Sequence, residues 1–282
     1  MATKLSTASR SASGVRVTDA SLLPWQPAGK AGLALKPARM DNTRGHFLGL
    51  VGFEPMTRSG LHQHQGVATS FFIEGALHDY QGSAGLHQAG INVKGATHDA
   101  VAYQRTVLVS RLEAPVTYPP DAGPLHGLHA GAHQASVFDN PNPLAPPDLN
   151  VTVDGIKPVA TGIARVTRQT IYDYSTTGDA SQGKHRMLQL RLRPGAVLPR
   201  FKTSAMVDGW VRGGALEIAS KQTQTAHANC FFSIDVHTEV TLTAPFGALL
   251  LLWAEGDVEW CNSASGTARK APRPKKLDLL GF

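Results

Sequence analysis

Cysteine is scarce in this sequence, which contains only Cys230 and Cys261 among its 282 residues. The two do not form a Cys-x-x-Cys pair, so a disulfide framework is not indicated and a reducing, cytoplasmic location is predicted. The first fifteen residues lack the apolar core of a signal peptide. The apolar run at residues 249–253 is too short to span a bilayer and is typical of a buried strand, so no membrane partner is predicted.

The sequence also lacks a long amphipathic helix and a continuous basic stripe. Its 28 glycines and 18 prolines favour an all-β fold with many turns. Lysine and arginine exceed aspartate and glutamate by 27 to 21, but much of this excess lies near the termini. The basic stretch at residues 269–276 carries no interleaved aromatic side chains, so we predict a solvated tail and no nucleic-acid partner.

Histidine, in contrast, is concentrated where it can bind a metal. If residues 61–64 form a strand, then His62 and His64 point to the same face, about 7 Å apart along the backbone. His98 follows a glycine-containing turn after the apolar residues Ile91 and Val93. This spacing suits a barrel that closes on itself and brings a third imidazole to the pair.

Between these histidines, residues 68–77 read as a strand, a turn at Gly75 and the start of another strand. The order His-x-His, strand, glycine turn, strand, glycine turn, His resembles the cupin metal motif. It is most similar to the cupin domain of ChrR-type anti-sigma factors and to the three-histidine dioxygenases that cleave acetylacetone or 2,4'-dihydroxyacetophenone. The resemblance covers about forty residues and implies one divalent metal held by His62, His64 and His98, with Fe(II) favoured and Zn(II) next.

The sequence departs from the four-ligand cupin pattern. Ala68 and Thr69 occupy the positions where a glutamate ligand usually follows the second histidine. Three neutral imidazoles would leave open coordination positions, as in a catalytic site. No catalytic residue is identified, but candidates for residues around the ligands are Thr69, Glu74, His78 and Tyr80, with Glu74 expected at a turn or rim.

The second half of the chain repeats the first. Residues 190–201 parallel residues 50–64, so Pro199 and Phe201 fall where His62 and His64 lie. Only His237 falls near the position of His98. The fold class predicted is therefore all-β, with two tandem cupin barrels of the double-stranded β-helix or jelly-roll type. The predicted domains are an N-terminal arm (1–30), a metal-binding barrel (31–114), a Pro/Gly/His-rich connection (115–158), a degenerate barrel without a metal site (159–262) and a basic tail (263–282).

The connection contains His126, His129 and His133, which would line one face of a helix. Glycines and prolines argue against a stable helix there, so an exposed loop is the plainer interpretation, and the alternative is a second metal site or a lid that contributes to the first site.

The resemblance favours a metal-dependent dioxygenase that cleaves a carbon–carbon bond in a small diketone or hydroxyketone. Its partners would be a small-molecule substrate and dioxygen, and a homodimer is expected. One alternative is a zinc-binding, ChrR-like sensor or ligand-binding cupin. That family joins its cupin to an N-terminal helical domain, which residues 1–30 are too short to supply. Another alternative is a non-oxidative lyase, hydrolase or isomerase, because one fold supports many reactions.

Overall fold

The structure, a computed structural model, describes residues 14–79, 82–118, 120–121, 151–173 and 185–261. Tyr80, the three histidines of the connection and the basic tail lie outside these residues. The described part of the chain contains no α-helix, only strands and two short 3₁₀ turns at Ala20–Leu22 and Val153–Gly155. The predicted all-β fold is confirmed.

Twenty-five strands follow one another along the described residues. Those before residue 156 are β1 (Val15–Asp19), β2 (Gln26–Pro27), β3 (Leu33–Asp41), β4 (His46–Phe53), β5 (Thr57–Arg58), β6 (His62–His64), β7 (Ala68–Glu74), β8 (Ala76–Asp79), β9 (Gly82–Gly85), β10 (Gln88–Asn92), β11 (Thr97–His98), β12 (Val101–Ala102), β13 (Thr106–Leu112), β14 (Val116–Thr117) and β15 (Val151–Thr152). Those after it are β16 (Val159–Ala160), β17 (Val166–Asp173), β18 (Arg186–Leu192), β19 (Ala196–Thr203), β20 (Val207–Ala219), β21 (Thr223–His227), β22 (Cys230–Ile234), β23 (Val240–Ala244), β24 (Ala248–Ala254) and β25 (Val258–Trp260).

The chain divides into two compact units. Described residues between 22 and 155 form the first unit, and residues 14–21, 156–173 and 185–261 form the second. The main sheet of the first unit has the order β15-β10-β7-β13-β4-β3-β2. In the second unit β22-β20-β24-β18-β17-β16 run in the corresponding order. The two units therefore repeat one strand arrangement, as the sequence repeat predicts.

The short strands of each unit also correspond. In the first unit a small sheet has the order β11-β6-β14, and in the second β23-β19-β25 are paired in the same way. His64 of β6 pairs with Val116, and Phe201 of β19 pairs with Trp260 in the equivalent place. His237, by contrast, lies in an exposed turn before β23 with a φ of 59°.

The N-terminal segment differs from the expected arm over residues 1–30. Strand β1 pairs antiparallel with β22 from Val15 opposite Ile234 to Asp19 opposite Cys230, so it belongs to the second unit. Strand β2 pairs with β3 in the first unit. The backbone N–H and C=O groups of a strand need hydrogen-bond partners, and the edge of β22 supplies them to β1. Local sequence cannot reveal this pairing, because the two strands lie far apart in the chain. The predicted connection likewise contributes β14 and β15 to the first unit.

The interiors of the two units are filled differently. A large apolar cluster fills the second unit, and its members include Phe201, Leu250 and Leu252, all almost fully buried. The smaller cluster of the first unit centres on Phe53, Phe72 and Leu108 and leaves a cavity beside it. No helix of the described residues is long and apolar enough to cross a membrane.

Candidate metal centre

Three histidines meet in the first unit because two short strands are paired in register. His98 of β11 lies directly opposite His62 of β6, and His64 lies two residues further along β6 on the same face. The three side chains are buried, with 6%, 6% and 9% exposure for His62, His64 and His98. The nearest approach joins Nε2 of His64 to Nε2 of His98 at 3.1 Å.

In two of these imidazoles, Nδ1 contacts an oxygen atom outside the group of three histidines. Nδ1 of His62 lies 2.7 Å from the carbonyl oxygen of Gly60, to which it donates a hydrogen bond. Nδ1 of His98 lies 3.3 Å from Oδ2 of Asp79. Both contacts engage Nδ1, so Nε2 is the ring nitrogen that can bind a metal, and such outer contacts are the usual way in which a protein orients a metal-binding histidine.

The donor set fits a divalent transition metal. One ligand nitrogen from each histidine lies within 4.8 Å of the other two, which is close enough to share a single ion. Imidazole nitrogens suit iron, zinc, copper and nickel, and a set of three leaves coordination positions open. The described residues place no carboxylate in this group of three, in keeping with Ala68 and Thr69 at the positions of the usual glutamate.

Burial keeps His62 in the neutral form that a metal requires. The pKa of His62 is lowered to about 4, chiefly by loss of water and also by the nearby His98 and Lys30, against the opposing effects of the Gly60 carbonyl and Asp99. The imidazole therefore carries no proton on Nε2 at neutral pH, and a cation does not have to displace one.

The loop before β6 is held by charged side chains. Oδ1 of Asp99 accepts a hydrogen bond from the backbone N–H of Gly60 at 3.0 Å, and its other oxygen pairs with Arg58. Lys30 donates to the carbonyl oxygen of Ser59 and lies 4.0 Å from the centre of the Tyr118 ring. These contacts fix the Gly60 carbonyl, which in turn orients His62.

Three of the four residues predicted to surround the ligands lie in the described part of the chain, and none of these three lines the cavity. Thr69 is buried, but its hydroxyl donates to the carbonyl of Arg111 at 3.5 Å, on the side of β7 opposite the cavity. Glu74 forms two hydrogen bonds with Arg105 at an exposed rim. His78 packs against Tyr103, with ring centres 5.0 Å apart. Tyr80 lies outside the described residues.

Sequence reasoning missed Asp79, although strand alternation contains the signal. In β8, Leu77 and Asp79 line the cavity whereas His78 between them does not. A two-residue period starting from the apolar Leu77 therefore points to Asp79 rather than to either neighbour. Its contact with His98 makes it the carboxylate partner of that candidate ligand.

The histidines open into a cavity of about 350 Å³ inside the first unit. Its walls are mainly apolar, with Phe53, Phe72 and Leu108 among the side chains that line it. Polar groups are few, and most belong to the three histidines, Asp79 and several serines and asparagines. An apolar cavity with a few convergent polar groups is the usual form of a small-molecule site.

A second cluster of possible metal ligands lies in the second unit. It consists of Asp19, the exposed His227 and the buried Cys230. Burial raises the pKa of the Cys230 thiol, which disfavours the thiolate that a metal would bind. This cluster is not at the position equivalent to the three histidines, which β19 and β23 occupy.

Comparison with known proteins finds one family model that resembles part of the chain. Residues 13–116 match the model of the ChrR cupin-like domain. No curated protein matches the sequence. Among solved structures, a salicylate 1,2-dioxygenase from Pseudaminobacter salicylatoxidans is 15% identical, with a TM-score of 0.65, and the match covers 87% of this chain and 88% of that one.

Oxalate decarboxylase from Bacillus subtilis is 10% identical, with a TM-score of 0.57, over 86% of this chain and 78% of that one. At these identities the two structures establish a shared fold and nothing about the reaction. Both matches extend over the two units of the chain, so the likeness is not limited to the residues that the family model covers.

Proposed function

We propose that this chain, which is a cupin by its fold and carries a ChrR cupin-like domain at residues 13–116, is a metal-dependent dioxygenase. It would hold one divalent ion, preferably Fe(II), through His62, His64 and His98, and cleave a carbon–carbon bond in a small diketone or hydroxyketone. The observation that carries the proposal is the convergence of three buried imidazoles, with oriented ring nitrogens, on an apolar cavity. The likeness to a dioxygenase structure adds support for the oxidative chemistry.

The chemistry of the bound metal would be that of a Lewis acid and template, bringing an enolised carbonyl compound and dioxygen together. The protein would contribute position and environment. Gly60 and Asp79 hold two of the imidazoles so that Nε2 faces the cavity. The apolar walls near Phe72 and Leu108 exclude water, which strengthens every polar contact inside the cavity. The cavity volume of about 350 Å³ suits a small organic substrate.

A zinc-binding sensor or ligand-binding cupin is the second candidate. It is favoured by one specific observation, the match of residues 13–116 to the ChrR cupin-like domain. The same three histidines would then retain zinc without turnover. The two candidates share a metal site and differ in whether oxygen is consumed.

The deciding experiment measures metal content and oxygen uptake on the same preparation. Protein purified without added metal is analysed for its elements, loaded anaerobically with Fe(II), and mixed with diketones and hydroxyketones in an oxygen electrode. We expect about one iron per chain and oxygen uptake matched by carboxylic acid products. His64→Ala should lose both properties, because it removes one of three ligands.

The matched control is His78→Ala, which removes a histidine from the same unit but outside the cavity. It should keep both metal and oxygen uptake. Retention of one zinc per chain without oxygen uptake would reject the dioxygenase and favour the sensor. A metal content that His64→Ala leaves unchanged would reject both.

A further inference from the structure

Three side chains that can bind a metal lie together in the second unit, where β1 meets the corner between β21 and β22. Asp19, the last residue of β1, lies directly opposite Cys230, the first residue of β22. His227 ends β21, and a two-residue turn joins it to Cys230. One ligand atom of each of these residues lies within 4.8 Å of the other two. We call Asp19, His227 and Cys230 the strand-junction cluster.

The turn between β21 and β22 is held by backbone hydrogen bonds on both sides. The N–H of Ala228 donates to the carbonyl oxygen of Gly214 at 3.0 Å, and the N–H of Asn229 donates to that of Val211 at 2.9 Å. Asn229 has a φ of 71°, a conformation that asparagine adopts more readily than most residues. The spacing of the two ligands that flank the turn is therefore fixed by the backbone. Pairs of ligands separated by a few residues are common in zinc sites.

Outer hydrogen bonds orient two of the three side chains. Oδ1 of Asp19 accepts hydrogen bonds from the backbone N–H and the hydroxyl of Ser21, at 2.8 and 2.6 Å. Nδ1 of His227 donates to the carbonyl oxygen of Ala228 at 3.0 Å. Oδ2 of Asp19 and Nε2 of His227 then face each other. Contacts of this kind are the ones that hold carboxylate and imidazole ligands in place around a metal.

The contact between Asp19 and His227 requires a positive charge between the two side chains. A neutral imidazole that donates through Nδ1 has an acceptor at Nε2, and a carboxylate oxygen is also an acceptor. Nε2 and Oδ2 lie 3.4 Å apart, which exceeds the length of about 2.7–2.9 Å that is usual for a charged hydrogen bond. Two ligands of a tetrahedral zinc ion, with bonds of about 2.0–2.1 Å, lie about 3.3 Å apart. The pair therefore has the spacing of metal ligands.

The thiol of Cys230 favours a metal over a shared proton. Its sulfur lies within ligand distance of the same point, and thiolate sulfur is a preferred ligand of zinc. It is not the nucleophile of a cysteine–histidine pair, because the ring nitrogens of His227 face Ala228 and Asp19. Burial raises the pKa of the thiol, which weakens the site. Binding is still possible, because a thiol that coordinates a metal gives up its proton.

We propose that the strand-junction cluster binds one zinc ion, or a divalent ion of similar preference, through Oδ2 of Asp19, Nε2 of His227 and Sγ of Cys230. The exposed position of His227 leaves the fourth coordination position open to water. The ion would fasten β1 to the corner between β21 and β22. Because the thiol must lose its proton, this site should be weaker than the three histidines and should fill only when metal is added. The inference is independent of the proposed function, since none of these residues lines the cavity.

The test uses Co(II), which replaces zinc and reports thiolate ligation by its absorption. The full chain is freed of metal with a chelator, kept reduced, and titrated with Co(II) while the spectrum is recorded. A thiolate bound to Co(II) gives an intense charge-transfer band in the near ultraviolet, whereas a site made only of imidazoles gives none. We expect the wild type to bind one ion at each of the two clusters, with the band appearing as the weaker site fills.

Two variants test the ligands of the strand-junction cluster. Cys230→Ser should remove the charge-transfer band. His227→Ala changes an exposed side chain, so it tests the site even if Cys230→Ser does not fold. It should weaken Co(II) binding at this site by at least about 10-fold, the loss expected for disturbing even an outer contact of a metal ligand. Cys261→Ser is the matched control and should keep the band, because this second cysteine lies outside the cluster.

The fastening of β1 is measured separately, in the His64→Ala background that lacks the histidine site. Zinc should raise the midpoint of thermal unfolding of His64→Ala, because an ion that binds only the folded chain stabilises it. The same addition should leave the midpoint of His64→Ala/His227→Ala unchanged. An equal rise in both variants would reject the fastening role.

Three results would overturn the proposed site: a wild-type titration without the charge-transfer band, a band that survives Cys230→Ser, or a band lost in Cys261→Ser. The dioxygenase proposal fails separately. A thiolate band without oxygen uptake would keep this site and reject the dioxygenase. Oxygen uptake without a thiolate band would keep the reaction and reject this site.

Discussion

The main sheets of the two units have the same strand arrangement but carry different side chains on the face that borders the interior. Where the main sheet borders the cavity, the first unit has Ser70 paired with Ser110. The strand order places Gly209 and Leu252 at the equivalent level of the second unit, where Leu252 also pairs with Leu188. Phe232 is the neighbour of Gly209 on the other side, and its ring lies where a Cβ on Gly209 would be.

The histidine positions show the same contrast. Phe201, almost fully buried in the apolar cluster, occupies the register position of His64. At these positions the second unit therefore has packed apolar side chains, whereas the first has polar side chains and a cavity. An unfilled cavity reduces stability, so we expect the packed interior of the second unit to contribute more to stability than that of the first, where the cavity leaves room for a ligand.

Truncating the side chains of His64 and Phe201 in separate variants should give the largest difference between the two units. His64→Ala should abolish stoichiometric metal binding while changing the free energy of unfolding of the metal-free chain by less than about 1 kcal/mol. Phe201→Ala should leave metal content unchanged and lower the free energy of unfolding of the second unit by about 3–5 kcal/mol. Elemental analysis and denaturant titration measure the two effects, and a loss of metal in Phe201→Ala would contradict the division of roles.

Exchanging the side chains of Ser110 and Leu252, which occupy equivalent places in the two sheets, tests the comparison further. Leu252→Ser should cost about 2–5 kcal/mol of unfolding free energy, because it removes packing from a filled interior. Ser110→Leu should cost at most about 1–3 kcal/mol and should block ligand binding by filling part of the cavity, while metal content stays the same. Denaturant titration, calorimetry and elemental analysis separate these outcomes. Unchanged ligand binding in Ser110→Leu would place the ligand elsewhere.

Lowering the pH should reduce the stability of the metal-free chain through His62. The pKa of this residue is about 4 in the fold against 6.5 when unfolded, so below pH 6.5 the unfolded chain binds a proton that the folded chain does not. Stability of the metal-free chain is thus complete above pH 6.5 and falls by about 3 kcal/mol as the pH drops to 4. Denaturant titrations over this range should show the loss in the wild type and in His78→Gln. A wild-type slope that persists in His62→Gln would assign the effect to another group.

Asp79 offers the smallest of these effects, because it acts on the metal through His98. Asp79→Asn keeps the size of the side chain but removes the charge that faces Nδ1 of His98. We expect metal affinity to fall about 10- to 100-fold, measured by competition with a chelator. Glu74→Gln, which changes a carboxylate paired with Arg105 at the rim, serves as the control and should leave affinity unchanged.

The candidate ligands could be predicted because their signal is local. The His62/His64 pair depends only on strand periodicity, and His98 follows a glycine turn that returns the chain to β6. The surrounding residues could not be placed as well, because one residue of register decides which face a side chain takes. Thr69 and His78 were proposed where Ser70 and Asp79, their immediate neighbours, line the cavity.

The bulge between Val107 and Leu108 shifts the pairing of β13 with β7, and no local pattern reveals such a shift. The repeat was visible in the sequence because apolar strands and glycine turns recur in the same order. The place of β1 was not visible, since its partner lies far along the chain.

That distant pairing has a consequence for how the protein is made. Arg16, at the start of β1, meets Asp235 across a separation of 219 residues. During synthesis β1 therefore leaves the ribosome before the first unit but is among the last of the described strands to find its neighbour, and the whole first unit can form in the meantime. Contacts of such long range slow folding. Strand β1 cannot pair with β22 until β22 has been translated.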